Sequence, residues 1–401
     1  MIDWKKANKI LSILDSDMKK IMYYDILYLC DGRKLSVHRK VLKWLFNVDF
    51  TDLKNSILNN KLIVTFPYSR KDHRIFLDSV IKDLNHVLIT DFRIKFNLNL
   101  FITLKHLFES FFLISKLKLN FKESLFIWSN YVFYKNSMHE LKSLEFGNEV
   151  KKYLSFNSSV SLEALICVCF NEKDNITTYS LTHGQTYIKW KTYNPIDIIN
   201  AINICSDFII VWGENQKQDL NKNYNFNLEN ILIGGNPKYS NFILKKVVKN
   251  SKKVLVLLPR REYLKGSLSL LNLLMENNID MIIKLHPISN ISDFSKYSSF
   301  IITNNNIKEI INKNEISYSI TFNSSIYFEL WSLGIPCFRY SKFENDTFPG
   351  LNDKFESSSE LNLLIESLED SSIFNNDEII SMLKKNLGVG INNYKNILHV
   401  K

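Results

Sequence analysis

Lys284-Leu285-His286-Pro287 closes a β-like run, and Phe322-Asn323-Ser324-Ser325 opens a helix-like one. A histidine at a strand end and a serine pair at a helix start are the parts needed to hold a phosphate. The imidazole can donate to a phosphate oxygen. The serines stand where unpaired backbone N–H groups and the helix dipole attract an anion. Pro287 stops the strand and turns the chain outward. Lys284 adds charge beside it, and Arg260 and Arg261, after Leu258-Pro259, could neutralise a donor phosphate. Glu329, one turn into the helix, could accept from ribose hydroxyls. Upstream, Thr182-His183-Gly184-Gln185 follows another apolar run. A histidine there titrates near working pH and can act as general base. Gly184 allows close approach of a ligand, and Gln185, Tyr187 and Lys189 could position an acceptor. The same residues also have plain readings: a loop histidine, an ordinary serine cap, a solvated basic turn and a solvated helix charge.

These groups need a scaffold that brings strand ends together. From Lys253 onward short apolar runs alternate with helical spacing: strands at 253–258, 280–285, 299–303, 317–321 and 335–340, helices at 266–277, 306–313 and 324–333. That alternation predicts a parallel sheet with crossover helices. In such a sheet ligands bind at the carboxyl ends of the strands, where His286 and Ser324 fall. Before it, strands are expected at 24–30, 61–66, 86–90, 163–170, 177–182, 207–212 and 230–233. Helices are expected over 97–147, rich in Phe and Leu as a core or docking layer, and over 194–205 after Asn194-Pro195. Asp31-Gly32 after the first of these strands reads as a carboxylate base or, more simply, a turn. Trp212-Gly213-Glu214-Asn215 reads as a strand-to-helix turn. Gly234-Gly235-Asn236-Pro237 interrupts the order and marks the domain boundary.

A chain of 401 residues, 45% hydrophobic and 23% charged, has the material for two globular domains. The net charge of +10 is spread along the chain. With no Arg-rich run, zinc-finger spacing or RNA-binding aromatic signature, it argues against nucleic acid as partner. It suits a phosphorylated donor, or peripheral contact with an anionic membrane surface. Five cysteines without paired metal spacing read as buried small hydrophobes in a reducing compartment. The polar N-terminus is no signal peptide, and the apolar stretch 99–116 is broken by Lys105, His106 and Glu109. A cytoplasmic protein, peripheral at the inner face of the plasma membrane, is the expectation.

The order of the motifs resembles bacterial GT-B transferases that use cytidine-nucleotide donors for capsule, lipooligosaccharide or teichoic acid synthesis. The succession is Thr182-His183-Gly184-Gln185, Ser206-Asp207, Gly235-Asn236-Pro237, Leu258-Pro259-Arg260, Lys284-Leu285-His286-Pro287, Asn323-Ser324-Ser325 and Leu333-Gly334-Ile335-Pro336. Two branches are similar. Sialyltransferases and polysialyltransferases share the His-Pro and Ser-Ser/Thr motifs that hold CMP, and usually carry a carboxylate-carboxylate-Gly base. Here His183-Gly184 stands at roughly that place, and Asp31-Gly32 lies too early. CDP-glycerol phosphotransferases share His-Pro and Ser-Ser and use a His-Gly motif, but their Trp before the His and Thr-Pro-Leu-Lys after it are absent.

The resemblance spans about residues 175–340. It implies an α/β GT-B fold, two Rossmann-like parallel-sheet domains facing a cleft. An acceptor-side domain would cover 1–240 with a helical insertion at 97–147, and a donor-binding domain 250–401. It further implies His183 as catalytic base on the acceptor side with Gly184, Gln185 and Tyr187. His286, Pro287, Ser324, Ser325, Lys284, Arg260 and Glu329 would serve the donor nucleotide. The expected partners are a nucleotide-activated sugar, CMP-linked and sialic acid- or Kdo-like, and a glycan acceptor. Transfer from CDP-glycerol is the enzymatic alternative, and a non-catalytic nucleotide- or glycan-binding partner in a capsule assembly complex the other. No cofactor or metal is expected, since no Asp-x-Asp is suited to clamp a diphosphate-bound cation. Asp15-Ser16-Asp17 has the spacing but lies in an N-terminal helical segment.

Overall fold

A computed structural model describes residues 2–31, 42–97, 99–147, 149, 151–182, 184, 199–240, 253–259, 263–287, 289–302, 306–322, 324–343, 349–369 and 375–399. The chain divides into two compact units. The first takes Met1–Thr186, Lys191–Lys238 and Ile391–Lys401, the second Tyr239–Gly390. The first unit carries β1 (Phe46–Val48), β2 (Leu62–Thr65), β3 (Val87–Ile89), β4 (Ile94–Phe96), β5 (Lys151–Ser155), β6 (Ile176–Leu181), β7 (Phe208–Val211) and β8 (Ile231–Ile233). The second carries β9 (Lys253–Leu257), β10 (Met281–Lys284), β11 (Ile301–Ile302), β12 (Ile316–Thr321), β13 (Cys337–Tyr340) and β14 (Lys354–Phe355).

Each unit is built on a six-stranded sheet. The first runs β3-β2-β5-β6-β7-β8 and the second β11-β10-β9-β12-β13-β14, with every described pair parallel. β1 and β4 form a separate antiparallel pair. Counted within its own unit, the second sheet has the order 3-2-1-4-5-6 of a dinucleotide-binding fold. The first begins 2-1-3-4-5, the other common doubly wound order. The strands of both sheets bury residues on both faces. In β2, Ile63 enters one core with Tyr153, while Leu62 and Val64 enter another with Leu154. In the second unit Val254, Val256, Ile283 and Ile320 share a core on one face, and Leu255 is buried on the other.

Residues 391–399 return to the first unit. Tyr394 and Leu398, on the helix Tyr394–Leu398, pack with Leu154 and Ile210. The Tyr394 hydroxyl donates to Gly235 O at 2.7 Å, and Lys152 Nζ donates to the carbonyls of Ile397 (2.8 Å) and His399 (2.9 Å). This explains Gly234-Gly235. A Cβ on Gly234 would meet the Tyr394 ring at 2.7 Å, and Gly235 sits at φ +83°, a left-handed conformation that favours glycine.

Two expectations are corrected, and one strand was not expected. Residues 24–30 are not a strand but the end of the helix Ser16–Cys30. Asp15 caps that helix, accepting from Met18 N at 2.8 Å, and Met18, Ile21, Met22, Ile26, Leu27 and Leu29 are buried along it. The alternation Tyr24/Ile26/Tyr28 hid a stripe that starts earlier, and Asp31 follows a helix rather than a strand. Residues 163–170 belong to the helix Ser161–Phe170, where every residue from Glu163 on is buried. A helix covered on all sides shows no polar face, so its period is invisible in the sequence. β5, in the middle of the first sheet, was missed because it opens on Lys151-Lys152. Lys151 is buried, its ammonium held by the carbonyls of Ile57 and Asn60 at the end of the helix Thr51–Asn59. All five cysteines are free and buried.

Candidate active site

A doubly wound sheet offers a crevice where its strand order reverses, outside the carboxyl ends. In the second sheet that point lies between β9 and β12, with β10 on the other side of β9. The chain leaving β10 reaches His286 in two residues, and the chain leaving β12 reaches Ser324 in three. Sheet spacing puts the axes of β10 and β12 about 10 Å apart. The two motifs therefore stand on either side of Leu258-Pro259, which leaves β9.

Local bonds fix these turns. Leu258 N donates to Lys284 O at 3.0 Å, carrying the β9–β10 pairing one residue past the strands. Ser289 N donates to His286 O at 2.9 Å and closes a turn, and the Ser289 hydroxyl reaches Pro259 O at 3.4 Å. His286 and Lys284 are half-buried, and Pro287 is exposed. After β12, Phe322 is buried and anchors the turn. Ser324 N donates to Phe322 O at 2.8 Å, and the Ser324 hydroxyl accepts from Ile326 N at 3.5 Å. Ser325 is the exposed first residue before the helix Ile326–Ser332, and its own side chain makes no capping bond. Tyr327, Phe328, Leu330 and Trp331 are buried and root that helix, with Glu329 half-buried one turn on. Arg260 lies outside the described residues.

In the first unit the His-Gly turn follows β6. Thr182 N donates to Ile210 O at 3.0 Å, extending the β6–β7 pairing. Gly184 has open space where a side chain would stand. His183, Gln185 and Tyr187 lie outside the described residues. A residue not singled out in the sequence holds this turn: Gln216, buried in the helix Glu214–Tyr224. Its amide donates to Gly184 O at 2.9 Å and accepts from Trp212 N at 3.1 Å. Only its place after Trp212-Gly213 could have pointed to it.

A second cluster, unsuspected in the sequence, sits where the first sheet's order reverses between β2 and β5. Glu163 is fully buried there. One of its oxygens accepts from Thr65 Oγ1 (2.8 Å) and Phe156 N (2.8 Å), the other from the Tyr68 hydroxyl (2.6 Å) and Asn157 N (2.9 Å). Burial raises its pKa, and the four donors oppose the rise. With both oxygens filled, Glu163 ties the two strand-end turns together. His73 stacks on Phe156 beside it, ring centroids 4.9 Å apart, and burial holds its pKa below the usual value, the nearby Arg70 adding to the effect.

Asp15 and Asp17, the residues with Asp-x-Asp spacing, are engaged elsewhere. Asp15 pairs with Lys135 at 2.7 Å and Asp17 with Lys142 at 3.4 Å. Among the described residues no cluster of His, Cys, Asp and Glu is arranged to hold a metal.

The chain thus carries two Rossmann-like parallel-sheet units, with His286 and the Ser324-Ser325 turn at the strand-order reversal of the second. No family model matches it, and no curated protein does. Among solved structures it is similar to the wall teichoic acid polymerase TagF soaked with CDPG. There the identity is 15%, the TM-score 0.42, and 94% of each chain is covered. It is also similar to the apo lipopolysaccharide outer core galactosyltransferase WaaB, at 12% identity and TM-score 0.46, covering 84% of this chain and 97% of that one. The S. aureus MnaA–UDP structure gives 13% identity and TM-score 0.44, covering 84% of this chain and 94% of that one.

Proposed function

We propose that the protein is a GT-B glycosyltransferase that moves a sialic acid- or Kdo-like sugar from a CMP-linked donor to a bacterial surface-glycan acceptor. One observation carries the reading: His286 and the Ser324-Ser325 pair leave the carboxyl ends of β10 and β12, on either side of β9, where the order of the second sheet reverses. In this reading His286 donates to the leaving phosphate, and the serine hydroxyls and helix start add donors to the same group. Charge that develops on the phosphate as the sugar departs is then stabilised where it forms. Lys284 and Arg260 supply positive charge, and Glu329 accepts from the ribose. His183 takes the acceptor hydroxyl proton, with Gly184, Gln185 and Tyr187 on the acceptor. Peripheral contact with an anionic membrane surface, where such acceptors are held, belongs to the same reading.

One feature favours a second reading, transfer of glycerol phosphate from CDP-glycerol. The turn after β6 carries His-Gly and no carboxylate pair. Thermal shift with CMP, CDP, UDP and GDP, followed by turnover of radiolabelled CMP-sugar and CDP-glycerol, decides between them. Stabilisation by CMP and turnover of the CMP-sugar are expected. Turnover of CDP-glycerol alone selects the second reading, and turnover of a UDP-sugar alone overturns both. Donor binding with no transfer, unchanged by His183→Ala, would mark a non-catalytic binding partner.

A further inference from the structure

The helix Leu100–Ser115 is turned inside out. A surface helix ordinarily buries its apolar stripe and shows polar residues to water. Here Thr103, His106 and Ser110 are the buried residues. His106 Nδ1 donates to Asn136 Oδ1 at 2.8 Å, Asn97 Nδ2 donates to Thr103 Oγ1 at 2.9 Å, and the Ser110 hydroxyl donates to Leu107 O at 2.8 Å. The bond to Asn136, whose Nδ2 also donates to Thr103 Oγ1 at 3.3 Å, orients the helix on its neighbour Phe121–Lys142. They leave Phe101, Leu104, Phe108, Phe111 and Phe112 facing outward, with Phe101 82% and Phe108 66% exposed. Positions 101, 104, 108, 111 and 112 recur three and four apart and so share one face. Phe121, at the start of the next helix, is 80% exposed. Contiguous exposed apolar surface of this kind marks a contact site.

Charge says what the contact is. From residue 91 to 122 the chain has six cationic residues, Arg93, Lys95, Lys105, Lys116, Lys118 and Lys122, against two acidic ones, Asp91 and Glu109. All six cationic residues are exposed, and of these Lys95 is paired with Glu140 at 2.6 Å and Asp49 at 3.4 Å, which leaves the charge to the others. An aromatic apolar face bordered by lysines is the pattern of a helix lying in the interface of an anionic bilayer. The helix does not span one: among the described residues no helix is long and apolar enough to cross a membrane. We propose that the outer face of Leu100–Ser115, with Phe121, docks the protein on an anionic lipid surface, the phenyl rings entering the acyl boundary and the lysines meeting the head groups.

The test is sedimentation of the full chain with vesicles of phosphatidylcholine alone, or of phosphatidylcholine mixed with phosphatidylglycerol. The wild type should pellet with the mixed vesicles and be released as salt rises. Phe108→Ser with Phe112→Ser should weaken partition about 100-fold, taking about 10-fold for each buried ring lost. Both sites are exposed, so the melting temperature should not fall. Lys116→Glu with Lys118→Glu and Lys122→Glu leaves the rings alone and should abolish the preference for phosphatidylglycerol. Two results overturn the proposal. In one, the wild type stays in the supernatant with mixed vesicles. In the other, the wild type is a concentration-dependent dimer that the Phe→Ser pair dissolves without changing vesicle binding, which assigns the face to a second copy of the chain.

Discussion

Gln216 Nε2 donates to Gly184 O across 2.9 Å, and Gln216 Oε1 accepts from Trp212 N, so one buried amide joins the turn after β6 to the turn after β7. Gly184 is the sequence neighbour of His183, the proposed base. Gln216→Ala is expected to leave donor affinity nearly intact and to lower turnover about 10- to 100-fold, the scale of a misplaced reacting group. It should also cost about 1–3 kcal/mol of stability, because the Gly184 carbonyl and Trp212 N–H lose their partner. Steady-state kinetics with separate titration of donor and acceptor, beside urea unfolding, checks it. A fall in stability with unchanged turnover would confine Gln216 to the fold.

Arg339 and Asp353 form a buried ion pair at the edge of the second sheet, each almost wholly shielded from water. Arg339 Nε donates to Asp353 Oδ1 at 2.8 Å and Nη2 to Leu351 O at 2.9 Å, while Leu351 N donates to the Tyr327 hydroxyl at 3.0 Å. The pair thus braces the helix that begins after Ser325. Asp353→Ala should destabilise the second unit by about 3–5 kcal/mol, because it strands a buried guanidinium. Arg339→Met combined with Asp353→Leu should recover most of that loss. Urea midpoints of the two variants test both statements, and equal midpoints would contradict them.

The strands of the second unit were legible in the sequence because they are apolar and end in residues that stop them. Apolar runs at β9, β10 and β12 end in Pro259, His286 and Ser324, and punctuation of that kind survives in one dimension. The strand order that brings β10, β9 and β12 side by side is a property of three dimensions, and no residue announces it. The first unit was harder for a physical reason. Its central strand β5 opens on two lysines that cap distant carbonyls, and its helix Ser161–Phe170 is apolar all round. Glu163, read as part of a strand, proves to be the knot that ties β2 to β5. Its four partners come from two separate segments, the turns after β2 and β5, so no local spacing could reveal them.

The inverted helix should make stability depend on pH through His106. Burial holds its pKa below the ordinary 6.5, partly offset by the bond to Asn136 and by Glu109, with Lys135 and His139 pushing it down further. As pH falls through 6.5 the unfolded chain takes up the proton while the folded imidazole stays neutral. Acid therefore favours unfolding. The contribution is whole above pH 6.5 and is lost progressively toward the lowered folded value. Urea midpoints should fall more steeply with acid for the wild type than for His106→Gln between about pH 7.5 and about pH 5.5. Parallel pH profiles would show that another group controls the acid limb.

The two histidines of the proposed mechanism should fail in different ways. His286 stands at the end of β10 beside the strand-order reversal, and its imidazole is assigned to the donor phosphate. His286→Ala removes a hydrogen bond to a charged oxygen, a loss of about 1.5–3 kcal/mol, or roughly 10- to 150-fold in the term it serves. If the bond forms in the ground state, nucleotide affinity falls. If it strengthens as charge develops on the leaving group, turnover falls instead. His183→Ala should keep nucleotide affinity and lower turnover by about 100-fold or more, the usual weight of a general base. It should also remove the limb of the pH–rate profile near the ordinary histidine pKa. Calorimetry with CMP and CDP, combined with rates at saturating donor, separates these outcomes. Equal loss of nucleotide affinity in both variants would place both histidines on the donor and overturn the assignment of His183 to the acceptor.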